Sequence, residues 1–315
     1  MKWIRTQEQS LPQIEGSVLT IGNFDGIHLG HQLLLKTLVE NAQKLSVPSV
    51  VCTFKPHPLQ VIQNRMGIEN SPVHRLFDYR DQAEQMEKLK IDFLVEEKFT
   101  RELSLMSATD FMEMFVFKYF KPVHLIIGHD FSFGQNRSGD YHFLKKYCAD
   151  KNILLTRIPA FENEGVIVSS TSIRQFLEIG QIEKVNQFLG RSYYLRGPVR
   201  MGYQRGRTLN VPTANISPDI EFTPRKGVYF SKTSIGHKIY SSISNIGVNP
   251  TFENKNSLLK VETHIFDFDQ DIYGSLIKVE LLHFLRDEMK FQNGESLKRQ
   301  IDQDLVAARK YFQKN

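Results

Sequence analysis

Cysteine is nearly absent: Cys52 and Cys148 are the only two in 315 residues, too few for a disulfide scaffold. Long apolar runs are missing as well. No stretch reaches the roughly 20 residues of a membrane span. The start, Met1-Lys2-Trp3-Ile4-Arg5, lacks the apolar core of a signal peptide. Both absences predict a cytoplasmic chain with no membrane partner. A Walker A loop is excluded too, because Gly197 and Gly202 have its outer spacing but Tyr203-Gln204 stand where Lys and Ser/Thr are needed. Nor is the charge one-sided. Lys and Arg number 40 against 35 Asp and Glu, a net +5, and the basic residues are scattered or loop-bound, without a dense run and stacking aromatics. That argues against nucleic acid as a partner, while the modest excess suits a protein that gathers polyphosphates.

With 41% hydrophobic and 24% charged residues, the chain has globular composition and length for two domains. The first half alternates apolar runs (Val18–Ile21, Val50–Phe54, Phe93–Val95, Leu125–Ile127, Ile153–Leu155) with stretches of helical spacing, which predicts an α/β unit with a parallel sheet. Leu33, Leu34, Leu38, Ala42 and Leu45 mark one apolar helix face; Ala83, Met86 and Leu89 mark a second, and Phe111, Met112, Phe115 and Tyr119 a third. From Tyr193 onward the pattern changes. Strands are predicted near Tyr193–Val199, Val228–Ser234, Ile239–Ile246, Leu259–Phe266 and Leu276–Phe284, with no long helix before Glu295. That is a small antiparallel β-barrel, and Leu297, Ile301, Leu305, Ala308 and Phe312 form a closing helical stripe that packs on it. The boundary falls at Gly190, giving domains 1–189 and 190–315.

Ligands of an open α/β sheet sit at the carboxyl ends of its strands, and three unusual segments fall there. Gly22-Asn23-Phe24-Asp25-Gly26-Ile27-His28-Leu29-Gly30-His31 is a strand end, a glycine-rich turn and a helix start. His28 and His31, three residues apart, share a helix face beside unpaired backbone N–H groups and the positive end of the helix dipole, a corner that attracts phosphate. Zinc would need a third ligand and H-E-x-x-H spacing, which are lacking. Lys55-Pro56-His57-Pro58 forms a rigid turn, and Gly128-His129-Asp130-Phe131-Ser132-Phe133-Gly134 closes the fourth run. Later, Ser169-Ser170-Thr171-Ser172-Ile173-Arg174 brings hydroxyls and a guanidinium to a helix start, a set that suits a migrating or departing phosphate.

The G-x-F-D-G-x-H-x-G-H turn resembles the nucleotidyltransferases that carry paired histidines on the first helix of a Rossmann-like sheet. Joined by Phe54-Lys55-Pro56-His57-Pro58, the Asp-Phe-x-Phe-Gly loop and Ser-Ser-Thr-x-Ile-Arg, it resembles the adenylyltransferase half of the bacterial bifunctional riboflavin kinase/FAD synthetases. The resemblance implies ATP and phosphate binding by Gly22, Asn23, Phe24, Asp25, Gly26, His28, His31, Ser170, Thr171 and Arg174, with His28 and His31 catalytic. It implies flavin binding by Pro56, His57, Pro58 and Asp130. Ser132 departs from an arginine in the family's loop, Lys55 from a glutamate, and Asn210 from a glycine.

In the second half, Gly197 to Asn215 is basic and glycine-broken. Its loop from Arg200 to Arg207, with Gly202 and Gly206, can fold over a polyphosphate, and Thr213 and Asn215, one residue apart in an extended segment, face one side and can bind Mg²⁺. Lys226-Gly227-Val228-Tyr229, Asn245-Ile246-Gly247-Val248-Asn249-Pro250-Thr251-Phe252 and Val261-Glu262-Thr263-His264-Ile265 follow in order. This series resembles the riboflavin kinase barrel. The resemblance implies metal ligation by Thr213 and Asn215, phosphate binding by Gly202, Gly206 and Arg207, and flavin contacts from Gly227, Tyr229 and Arg286. Glu262 is implied as the base for the ribityl hydroxyl. Two reactions are expected: phosphorylation of riboflavin to FMN by ATP, and adenylylation of FMN to FAD with release of pyrophosphate. Mg²⁺ is the expected cofactor and ATP the co-substrate, and FMN and FAD are substrate and product, not redox cofactors. The alternative is a kinase alone, with a silent or redirected first domain.

Overall fold

The computed structural model describes residues 1–68, 74–201, 211–218, 220–249 and 258–314. The chain divides into two compact units, Met1–Ser170 and Thr171–Asn315. Among the described residues no helix is long and apolar enough to cross a membrane.

The first unit is built on six strands, β1 (Lys2–Arg5), β2 (Ser17–Ile21), β3 (Ser49–Lys55), β4 (Phe93–Lys98), β5 (Pro122–Ile127) and β6 (Leu154–Arg157). They lie in the order β1-β4-β3-β2-β5-β6, and every ladder is parallel. The five strands expected from the apolar runs are all present; β1 adds an edge that the sequence did not announce. Alternation along β2 sends Val18 to one face and Leu19 and Ile21 to the other, so both faces are covered by helices, as a parallel sheet requires. One core layer joins Val18, Val51, Leu94 and Ile126 to Leu34, Leu35 and Leu38 of α1 (Leu29–Leu45) and to Ala83 and Met86 of α3 (Tyr79–Lys88). The opposite layer joins Leu19, Val50 and Val95 to Phe111, Met112 and Phe115, which lie in a π-helical segment, Phe111–Phe117. The face of α1 differs from expectation. Leu33 and Leu45 are each 40% exposed while Leu35 is fully buried: Leu33 sits about 100° round from Leu34, and Leu45 is the last residue of the helix.

A helix spans Ser170–Glu178, its first residue ending the first unit and the rest opening the second, and another spans Ile182–Leu189. A closed barrel follows in the order β10-β13-β12-β11-β14-β9, formed by β9 (Tyr193–Arg200), β10 (Ala214–Ile216), β11 (Gly227–Ile235), β12 (Lys238–Asn249), β13 (Leu258–Ile265) and β14 (Leu276–Arg286). All its ladders are antiparallel. Five strands match the expected runs, and the short β10 is the addition. The barrel interior is not wholly apolar: Ser231, Thr233, Ser242, Ser244 and Thr263 are fully buried and bonded hydroxyl to hydroxyl at 2.7 to 2.8 Å. A buried hydroxyl is tolerated only when paired, and this chain of contacts meets that condition. Outside, the C-terminal helix (Gly294–Lys314) packs Ala308, Leu305, Tyr311 and Phe312 over Val228, Phe230, Ile243 and Phe266.

Candidate active sites

In the first unit, β2 lies between β3 and β5, and the chain reverses its strand order there. The Gly22 turn, the Pro56-His57-Pro58 turn and the Gly128–Asp130 loop leave the sheet at the same edge from three adjacent strands. Neighbouring strands are about 4.8 Å apart, so the three segments start within about 10 Å of one another. His57 caps α2 (Pro58–Arg65), its Nδ1 accepting the Leu59 N–H at 3.2 Å. Asp130 is exposed at the tip.

The turn after β2 is held in an uncommon shape. Phe24 and Ile27 adopt left-handed φ values of 49° and 40° beside Gly26 at 81°, conformations that cost a bulky residue free energy. Burial offsets the cost, since Phe24 is 3% and Ile27 2% exposed. The buried Asp25 carboxylate accepts the Leu76 N–H at 3.0 Å, and its carbonyl accepts the Ser170 hydroxyl at 2.8 Å. Asp25 therefore braces the turn and ties it to Ser170 at the end of the first unit. Ser170 and Arg174, four apart on the helix Ser170–Glu178, share a helix face, with Thr171 in its first turn. The Asn23 carbonyl accepts from Gln82 at 2.7 Å.

His28 is the N-cap of α1, its Nδ1 accepting the His31 N–H at 3.3 Å; this leaves its proton on Nε2. The two imidazoles stack with ring centroids 3.7 Å apart and planes 19° off parallel. Burial first, and the His28 charge second, push His31 well below the ordinary histidine value. His31 Nδ1 is buried with no hydrogen-bond partner among the described residues. A buried, unsatisfied ring nitrogen at a helix N-terminus is a costly arrangement that a phosphate oxygen relieves, given a proton on that nitrogen. Gly30 must stay small, because a Cβ there would meet the His28 ring at 3.3 Å.

The barrel brings its candidates into one row. Arg200 on β9 pairs with Asn215 on β10, Asn215 with Glu262 on β13, and Glu262 with Asn245 on β12; the row continues through Val228 on β11 to Arg286 on β14. Directly paired residues of antiparallel strands share a face, so these side chains stand on the outside of the barrel while Val261 and Thr263 point in. Arg200 and Asn245 were visible in the sequence only as parts of motifs; the ladder register makes Asn245 a direct neighbour of Glu262 and places Arg200 one strand further along, beyond Asn215. The Asn215 Oδ1 atom is buried and without a hydrogen-bond partner among the described residues, and its Nδ2 donates to the Thr213 carbonyl at 3.4 Å. An orphaned amide oxygen fits a hard cation such as Mg²⁺, which takes few protein ligands. His264 Nδ1 bonds the Pro212 carbonyl at 2.8 Å and anchors this segment to β13; burial lowers its pKa.

Arg286 grips Asp304 of the C-terminal helix with two nitrogens, at 3.0 and 2.6 Å. Tyr229 lies inside the barrel end, its hydroxyl on the Arg225 carbonyl and its ring edge-on to Phe284. Gly227, at φ 147°, permits the approach of β14: a Cβ would stand 2.2 Å from the Arg286 carbonyl oxygen. Gly202, Gly206, Arg207 and Asn210 lie outside the described residues.

A nucleotidyltransferase-like α/β unit followed by a kinase-like barrel defines a two-site transferase class. The FAD synthetase family model matches residues 10–172 and the riboflavin kinase family model residues 189–312. A bifunctional riboflavin kinase/FMN adenylyltransferase of Haemophilus influenzae is 34% identical over 313 residues, covering 99% of each chain. The protein so named from Buchnera aphidicola is 37% identical over 301 residues, covering 94% of this chain and 93% of its own. A crystal structure described as a macrolide-efflux protein from Streptococcus pneumoniae has a TM-score of 0.85 at 28% identity, covering 98% of this chain and 99% of that one. The chain belongs to the bifunctional riboflavin kinase/FMN adenylyltransferase family.

Proposed function

We propose that the chain converts riboflavin to FAD in two ATP-dependent steps, with residues 1–189 as the adenylyltransferase and 190–315 as the kinase. Both steps are in-line displacements that need no protein nucleophile. In the kinase, Glu262 accepts the ribityl hydroxyl proton as that oxygen attacks the γ-phosphorus, and ADP leaves. Thr213 and Asn215 hold Mg²⁺, which when bound draws charge from the phosphate oxygens. Gly202, Gly206 and Arg207 cover the phosphates, and Gly227, Tyr229 and Arg286 shape the flavin end, Arg286 also fixing the C-terminal helix through Asp304.

In the adenylyltransferase, His28 and His31 donate to the ATP phosphates while the FMN phosphate attacks the α-phosphorus and pyrophosphate departs. Gly22, Asn23, Phe24, Asp25 and Gly26 shape the phosphate turn. Ser170, Thr171 and Arg174 stabilise the leaving group, and Pro56, His57, Pro58 and Asp130 receive the flavin. As part of the same reading the enzyme works in the cytoplasm on small molecules alone, without nucleic acid.

The observation that carries the kinase half is the direct pairing of Glu262 with Asn215, whose buried oxygen lacks a partner among the described residues. The test is incubation with riboflavin, Mg²⁺ and ATP, with flavins separated over time. FMN appears first and FAD follows with pyrophosphate; FMN without FAD would leave a kinase alone. Glu262→Gln should abolish FMN formation and spare FAD synthesis from supplied FMN, whereas loss of both would contradict separate sites.

A further inference from the structure

Lys260 has no part in the chemistry assigned above, yet its ammonium is in ion-pair contact with Glu262 Oε1. The two residues are two apart on β13 and so share its outer face. The lysine side chain is only 19% exposed, far less than a solvated surface lysine. Across the ladder Lys260 pairs with Gly247, and a Cβ on Gly247 would stand 2.7 Å from Glu288 Oε1. The Glu288 carboxylate thus fills the space that a side chain at Gly247 would take. A second carboxylate on the Glu262 face makes it a poor place for a triphosphate, because like charges repel most where water is scarce. Arg200 stands on the same face two strands away, and the lysine is the cation in direct contact with Glu262.

We propose that Lys260 is a positioning residue of the kinase reaction. It fixes the Glu262 carboxylate through Oε1, presents Oε2 to the ribityl hydroxyl, and offsets the charge that would repel the incoming γ-phosphoryl group. The proton passes from the hydroxyl to Oε2 and the new bond forms from the ribityl oxygen to the γ-phosphorus. The bond between that phosphorus and the β–γ bridging oxygen breaks, and ADP departs with the electron pair. Lys260 neither gives nor takes a proton. This inference rests on Glu262 being the base.

The test compares the full chain with Lys260→Ala, Lys260→Gln and Lys260→Arg, and uses Glu262→Gln as the reference. Lys260→Ala and Lys260→Gln should lower kcat for FMN formation about 10- to 100-fold, the scale of a misplaced catalytic group. KM for riboflavin should hold within about twofold, and FAD synthesis from supplied FMN should stay at the wild-type rate. Lys260→Arg should recover most of the loss, and added ethylammonium should restore Lys260→Ala saturably while leaving Glu262→Gln inactive. A wild-type kcat in Lys260→Gln would overturn the proposal. So would a loss that neither arginine nor the amine repairs, which would mean that the side chain serves only the fold. Normal kinase activity in Glu262→Gln would remove the base assignment itself, a result distinct from either.

Discussion

His31 offers the most direct probe of the histidine corner. Its ring lies 3.7 Å from that of His28, and two unit charges that close repel by about 4 kcal/mol at an effective dielectric constant of ~20, so the two rings are not both cationic. Burial and that neighbour hold His31 well below its ordinary value of 6.5. The unfolded chain therefore binds a proton near pH 6.5 that the folded one refuses. Its stabilising contribution is present above that pH and is lost as pH falls below it, at up to about 1.4 kcal/mol per pH unit. Other groups titrate in the same unit: His124, also lowered by burial, adds to the loss, while Glu96 and Glu97, raised by burial, oppose it. The difference between wild type and His31→Gln isolates the imidazole. Trp3, the single tryptophan of the chain, packs against the core beneath α1, so its fluorescence during urea unfolding follows the first unit. Between pH 6.5 and about 5.5, wild type should lose up to about 1 kcal/mol more than His31→Gln. Parallel slopes for the two proteins would refute the claim that the fold keeps His31 neutral.

Two further outcomes follow from the assigned sites and their packing. His28→Ala combined with His31→Ala should abolish FAD formation from FMN and leave riboflavin phosphorylation intact; normal FAD output would discredit the phosphate role. Gly227→Ala places a Cβ 2.2 Å from a backbone oxygen of β14 at a φ of 147°, so it should destabilise the barrel by about 2 to 4 kcal/mol, read as a fall in its thermal midpoint by circular dichroism. An unchanged midpoint would mean that β14 yields easily.

Most of the architecture was legible because burial imposes periodicity. Core strands of a parallel sheet are covered on both faces, so Val18–Ile21 and Val50–Phe54 read as continuous apolar runs, and barrel strands alternate. The missed strands escape for physical reasons. β1 is an edge of four residues in which only Ile4 is fully buried, and β10 has three residues of which only Ile216 is buried. Neither has length enough to show a period. The hydroxyl ladder inside the barrel was hidden for the opposite reason: Ser231, Ser242 and Ser244 look like solvent-facing residues in sequence, and only mutual pairing makes their burial tolerable.

The sites were legible to the extent that their geometry is local. The histidine corner is set by ten consecutive residues, and strand, glycine turn and helix start are enough to place both rings. The kinase row depends on register between strands tens of residues apart; alternation tells which face Glu262 occupies, while only the ladder tells that Asn215 and Asn245 flank it. The same limit explains Ser132, where the family pattern has arginine. Arg137, five residues on, adopts a left-handed φ of 59° and donates from Nε to the Ser132 hydroxyl at 2.8 Å. A guanidinium therefore stands beside the position that seemed to lack one. What a site requires is a charge at a point in space, and a turn that folds the chain back on itself can deliver it from a different residue.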